Sequence, residues 1–174
     1  LPYYLSRTIN EREKLLVTTP ESLREMLNID ARPNSEVIAI DRAGKSVSIR
    51  EHGSGREYSE TYDKLVLAPG AEPIVPPLPG VELEGVFILH NIPELDALDG
   101  YIKAKDVTRA GVIGGGFIGL EVAENLAETG VEVTIVEMLN QVMAPVDYEM
   151  AVEVHEHLAL HGVNLVLGDG LKAI

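Results

Sequence analysis

The run Ala110-Gly111-Val112-Ile113-Gly114-Gly115-Gly116-Phe117-Ile118-Gly119-Leu120-Glu121 limits what this chain can fold into more than any other stretch. A short apolar segment, Val112-Ile113, leads directly into Gly114, Gly116 and Gly119, spaced G-x-G-x-x-G. A helical pattern follows, with Ile118, Val122 and Leu126 four residues apart on one face, and it closes at Thr129-Gly130. A second apolar run, Val131 to Val136, ends in an acid, Glu137. Strand, glycine turn, helix, strand and terminal carboxylate is the order of a dinucleotide-binding βαβ unit.

Each residue type has a physical reason to stand there. Gly114 lets the chain turn sharply out of the strand, Gly116 lets backbone approach a pyrophosphate, and Gly119 lets the helix pack closely on the sheet. Gly115, Phe117 and Ile118 complete the turn, whose free N–H groups face the phosphates. The helix dipole adds about 0.3–2 kcal/mol of attraction for an anion. Glu137 lies about 20 residues beyond the glycines, where a carboxylate accepts hydrogen bonds from the adenosine ribose. Glycine turns also occur merely to tighten a strand–helix corner. The agreement of strand, helix period, glycine stop, second strand and acid favours nucleotide binding.

Composition narrows the partners. The formal net charge of −14 argues against nucleic acid and against an anionic membrane surface. No run approaches the ~20 apolar residues of a membrane span, and there is no basic-then-apolar leader. With no cysteine, disulfide and thiolate chemistry are outside this stretch, and a cytoplasmic setting fits best. The opening Leu1-Pro2-Tyr3-Tyr4 has no initiator Met, and the chain stops just after an apparent strand, as expected of an internal fragment.

Other segments are readable in order. Thr19-Pro20-Glu21 is a helix start, with Leu23, Met26 and Leu27 as its apolar face and Asn28 as its end. Residues 36–68 read as an antiparallel meander: Val37 to Ile40, a turn at Asp41 to Gly44, alternating Val47 and Ile49, a turn at His52 to Gly55, and Glu57 to Glu60. Leu65-Val66-Leu67-Ala68 is continuously apolar, which predicts a central strand covered on both faces before the turn at Pro69-Gly70. Prolines 73, 76, 77 and 79 make residues 71–80 a connector. Val86 to Leu89 reads as a strand, and Leu95, Leu98 and Ile102 as a helix face. After Glu137, a loop leads to a helix from Asp147 to Gly162 with Met150, Val154 and Leu158 buried. Val163 to Leu167 forms a third strand. Residues 109–174 are therefore a βαβαβ unit, half of a Rossmann fold.

Three landmarks stand in sequence: Thr61 to Ala71, the proline-rich connector, and Gly114 to Glu121. Together they resemble the FAD-dependent pyridine nucleotide–disulfide oxidoreductases, and the Leu1-Pro2-Tyr3-Tyr4 opening resembles the coenzyme A-disulfide and persulfide reductase subgroup. The resemblance implies an α/β protein with two incomplete Rossmann-like domains. Residues 1–108 would be the later part of an FAD domain and 109–174 the first half of an NAD(P) domain. It implies hydride transfer from NAD(P)H to FAD and onward to a redox cysteine just before Leu1, which this chain lacks. As it stands, the fragment is expected to be inactive. Val37, Ala68, Pro69 and Gly70 would contact FAD. Phe117 would cover the flavin's nicotinamide side, and Glu121 would help place the carboxamide. A small disulfide or persulfide substrate, possibly coenzyme A-derived, and a homodimer are implied as well. A cysteine-independent ferredoxin- or nitrite-reductase-type flavoprotein and a non-catalytic NADH-binding module are the alternative readings.

NADH is expected over NADPH. At ~4 Å and an effective dielectric near 20, Glu137 would repel a 2′-phosphate by about 4 kcal/mol. Met138-Leu139-Asn140 supplies no Arg in compensation. His155, His157 and His161 share a helix without a third ligand, so surface histidines rather than a metal site are expected. Arg7, Arg12 and Lys14 read as a mixed-charge solvated helix in preference to a site for coenzyme A phosphates.

Overall fold

The computed structural model describes all residues 1–174, which divide into two compact units, Leu16–Ala71 and Leu1–Leu15 with Glu72–Ile174. The smaller unit opens on helix α1 (Pro20–Leu27). The Thr19 hydroxyl accepts the Ser22 N–H at 3.2 Å, Pro20 sits in the first turn, and Asn28 ends the helix in the left-handed region at φ 54°. Start and stop are those expected, but the apolar face stays bare, with Met26 and Leu27 exposed. Strands β1 (Ser35–Asp41), β2 (Ser46–Glu51) and β3 (Glu57–Thr61) form the antiparallel meander in the order β1-β2-β3, with an irregularity between Val37 and Ala39. The Asp41 carboxylate accepts the N–H groups of Ala43 and Gly44 and so closes the first hairpin. Ile49 is the unit's one buried hydrophobic residue.

Leu65 to Ala68 does not form the expected central strand. It has no regular structure, and Leu65, Val66 and Leu67 are exposed. An apolar run becomes a strand only beside another backbone edge, and no strand of this chain pairs with it. Val86 to Leu89 is corrected on the same ground: it forms no ladder, and Phe87 instead packs its ring against Tyr101 at 5.1 Å.

The larger unit begins with single 3-10 turns at Pro2–Tyr4 and Arg12–Leu15. Helix α2 (Ile92–Lys105) starts on a capping box, in which Asn91 accepts the Glu94 N–H and Glu94 accepts the Asn91 N–H. Its Leu95 is wholly buried, with Leu98 and Ile102 packed beside it as expected. Strand β4 (Arg109–Ile113), helix α3 (Phe117–Glu128), β5 (Glu132–Glu137), helix α4 (Tyr148–Leu160) and β6 (Asn164–Leu167) follow. The three strands are parallel in the order β4-β5-β6, with Val112 beside Ile135 and Ile135 beside Leu165. This is the expected βαβαβ arrangement within an α/β fold. The 108/109 boundary read from the sequence is not where the compact units part, because Leu5 and Leu95 share one core with Val112, Leu126 and Ile135.

Two helix faces differ in detail from their spacing. Ile118 is exposed while Leu126 is buried, since residues four apart drift about 40° per step on a helix of 3.6 residues per turn. Met150 is likewise exposed, and α4 buries Ala151 in its place together with the expected Leu158.

Ile135 lies at the centre of the parallel sheet with no exposed surface. Truncation to Ala should destabilise the larger unit by about 2–5 kcal/mol. Val17→Ala, at a wholly exposed site, should stay within about 0.5 kcal/mol of the parent. Thermal unfolding of the two variants checks the contrast; equal midpoints would contradict this placement of the core.

Candidate functional site: the glycine turn between β4 and α3

Three glycines of the turn have different constraints. Gly114 has φ +100°, a conformation L side chains rarely adopt. At Gly119 a Cβ would come within 2.0 Å of the Gly114 carbonyl oxygen, so helix and strand end meet only because that methyl group is missing. At Gly116, with φ −80°, a Cβ would meet nothing within 4 Å. Neither backbone angle nor the protein's own packing requires glycine at 116, which leaves close approach by something outside the chain as its use.

The peptide groups of the turn are held one by one. The Gly114 N–H donates to the Val136 carbonyl at 2.9 Å, and the Gly115 N–H to Glu137 Oε2 at 2.7 Å. The Gly115 carbonyl accepts the Met143 N–H at 2.8 Å. From Gly116 the pattern changes. Leu120 donates back to the Gly116 carbonyl, while the N–H groups of Gly116, Phe117, Ile118 and Gly119 find no acceptor in the chain. Gly116 is the N-cap of α3 and brings no side chain to satisfy them. Phe117 and Ile118 are exposed around this end. Four unsatisfied donors at a helix start, with the dipole behind them, make a corner suited to an anion.

Glu137 ends β5 beside that corner. Its other oxygen accepts the Leu139 N–H at 2.8 Å. The hydrogen bonds from Leu139 and Gly115 hold its carboxyl below the ordinary value of 4.5. A group depressed in the folded state contributes stability above its unfolded value and loses it as pH falls through the lowered one. Glu137 is therefore anionic at neutral pH. Each of its oxygens keeps a second lone pair for a further donor such as a sugar hydroxyl.

Residues beyond the motif support it. Val142, with no exposed surface, sits where a Gly115 Cβ would have been, 2.7 Å from that position. Met143 has φ 54°, a left-handed conformation costing about 1–3 kcal/mol for such a residue. The Val142 N–H donates to His155 Nε2 at 3.1 Å, so His155 is not the free surface histidine expected. On α3, buried Asn125 donates to the Glu121 carbonyl at 2.7 Å and accepts from the Ser6 hydroxyl, tying the N-terminal turn to this helix. Neither contact has a signature in the spacing of the sequence. Glu121 itself is half-buried in the second turn of α3.

The remaining candidates lie elsewhere. Val37, in β1, and Ala68, Pro69 and Gly70 all belong to the smaller unit and are exposed, Gly70 with φ +76°. That unit also carries two shallow hollows of about 310 Å³, one lined by Pro20, Arg24 and Ile29, the other by Asn34, Glu51 and Ser54. Neither touches a predicted site residue. Arg7 and Arg12 bind Asp99 and Asp96 of α2, and Lys14 binds Glu11, which agrees with the mixed-charge reading of that segment. His157 and His161 stack at 4.3 Å, and no three His, Asp or Glu side chains converge as a metal-holding group. No helix is long and apolar enough to cross a membrane.

This turn and the two sheets have close counterparts. A reduced CoADR-RHD from Bacillus anthracis superimposes with a TM-score of 0.93 at 50% identity, over 99% of this chain and 31% of that one. An NADH oxidase of Methanocaldococcus jannaschii is 34% identical over the whole chain, and a coenzyme A disulfide reductase of Staphylococcus aureus strain JH9 is 32% identical. The chain spans 39% of the length of each of these two relatives. The family model for pyridine nucleotide-disulphide oxidoreductases matches residues 3–174. With that match over nearly every residue, the chain belongs to the pyridine nucleotide-disulphide oxidoreductase family.

Proposed function

We propose that this stretch supplies the adenosine and diphosphate side of an NADH site in an NAD(P)H-dependent flavoprotein that reduces a small disulfide or persulfide. The observation that carries this reading is the open corner at Gly116, where successive N–H donors have no acceptor and a Cβ would meet empty space. The amides of Gly116, Phe117 and Ile118 would hold the diphosphate, and Glu137 the adenosine ribose. The carboxylate's charge favours NADH, because a 2′-phosphate at ~4 Å would meet about 4 kcal/mol of repulsion at an effective dielectric near 20. Phe117 and Glu121, one turn apart at the start of α3, are suited to contact the nicotinamide end.

Within the same proposal, Val37, Ala68, Pro69 and Gly70 contribute to an FAD site of the natural protein. Residues 1–108 belong to its FAD domain and 109–174 to its NAD(P) domain. The flavin supplies the two-electron relay between nicotinamide and a thiol; this chain's residues bind, orient and exclude water. A coenzyme A disulfide reductase among the relatives supports a small-disulfide substrate, while the NADH oxidase keeps an oxygen-reducing parent as the competing outcome. The cysteine-free flavoprotein is separated from the disulfide class by the residue preceding Leu1 in the natural protein. The binding-only module is separated from both by flavin absorbance. The acidic charge agrees with a cytoplasmic enzyme without nucleic-acid or membrane partners, and homodimerisation is part of the reading. Sedimentation checks that last point.

Calorimetry on the intact natural protein tests the site. NADH should bind at least about tenfold more tightly than NADPH, and Glu137→Gln should narrow that gap. The outcome that sinks the reading is tighter binding of NADPH, or no binding of either.

The glycines give a second test with opposite signs. Gly116→Ala should leave thermal stability almost unchanged, since its Cβ enters open space, yet weaken NADH by about tenfold or more. Gly119→Ala should lower stability by about 1–3 kcal/mol because its Cβ overlaps backbone. Undiminished NADH affinity in Gly116→Ala would remove the corner from the site.

A further inference from the structure

The loop between β5 and α4, residues 138–147, folds back onto the glycine turn and is pinned there at several points. Val142 fills the notch left by Gly115, and Met143 donates its N–H to the Gly115 carbonyl from its left-handed backbone. Gln141 donates through Nε2 to the Val146 carbonyl at 2.9 Å, and the Val146 N–H donates to the Met143 carbonyl at 2.9 Å. From outside the loop, Gly168 donates its N–H to the Leu139 carbonyl at 2.8 Å, and His155 reaches from α4 to accept the Val142 N–H. To accept at Nε2 the imidazole carries its proton on Nδ1. The Tyr148 ring, about two turns earlier on the same face of α4, stands edge-on to it at 6.4 Å.

Peptide planarity links this loop to the corner. The Gly115 carbonyl and the Gly116 N–H belong to one planar trans unit and point in opposite directions. With the carbonyl fixed on Met143, the Gly116 N–H is fixed facing away from the loop, and no group of the chain accepts it. If Val142 shifts, Met143 shifts with it, and the plane is free to turn.

We infer that His155 is a positioning residue for dinucleotide binding: through Val142 and Met143 it fixes the peptide plane that aims the Gly116 N–H at the diphosphate. This rests on the NADH reading above. It assigns His155 no contact with the nucleotide. It predicts a selective loss, confined to ligands that carry the diphosphate. A residue that only stabilised the fold would affect every ligand of the unit alike.

The intact natural protein and three variants are titrated with NADH and, separately, with adenosine, which lacks phosphate. His155→Leu removes the acceptor, and His155→Asn is too short to restore it. His155→Gln can place an oxygen where Nε2 stood. NADH affinity should fall about 3- to 10-fold in the Leu and Asn variants, the worth of one net hydrogen bond, and stay within about twofold in Gln. Adenosine affinity should be equal in all four proteins. If the Leu variant fails to fold, Asn against Gln carries the same comparison. The inference is overturned by unchanged NADH affinity in Leu or Asn, by a Gln variant as weak as they are, or by parallel loss of adenosine. Parent protein that binds adenosine but not NADH overturns the NADH reading itself, and this inference with it.

Discussion

Helix α3 docks so closely on the end of β4 that a methyl group at Gly119 would overlap the Gly114 carbonyl oxygen. Everything at the candidate site follows from that approach. It brings the first turn of α3 directly over the strand end, so the chain must reverse within Gly114 to Gly116, and it does so with Gly114 in the left-handed region. The helix then begins with no capping side chain, and the N–H groups of its first turn have no acceptor in the chain. A serine or aspartate at 116 would satisfy one of these donors and stabilise the helix by roughly a few tenths of a kcal/mol relative to glycine. The uncapped start thus leaves donors for water or an anion to take up.

Glu137 couples the second strand to the same corner. By accepting from Gly115 and Leu139 it fixes both the turn and the start of the following loop, and the two bonds hold it ionised. A carboxylate next to an anion-binding corner looks contradictory. In the proposed reading its position at the end of β5 resolves this, because a dinucleotide would present a neutral ribose there and its charge at the amides. The same charge would then disfavour a second phosphate on that ribose, and one residue would serve both the fold and the choice of cofactor.

The parallel unit was legible in the sequence because its signals are local and agree. The G-x-G-x-x-G run, the glycine stop after Thr129, and the continuous apolar strands each depend on neighbours a few residues away. The turn at Asp41 is equally local; so is the capping box at Asn91, which was not among the expectations from sequence. Leu65 to Ala68 and Val86 to Leu89 failed for the opposite reason: strand formation needs a partner edge, and hydrophobicity alone does not reveal whether this chain supplies one. Ile118 and Met150 were misplaced because a four-residue spacing drifts around a helix. The contacts of Val142 and Met143 with Gly115, and of His155 with Val142, were invisible because they join residues well separated along the chain without any compositional mark.

The central claim is that the N–H groups of Gly116, Phe117 and Ile118 are the ones a dinucleotide diphosphate takes up. Amide-resolved NMR of the natural protein during titration with NADH measures this most directly. The account predicts that these three amide protons move furthest downfield, as new charge-assisted hydrogen bonds form. NADH binding that leaves all three unmoved, and instead shifts residues around the hollows of the smaller unit, would contradict it.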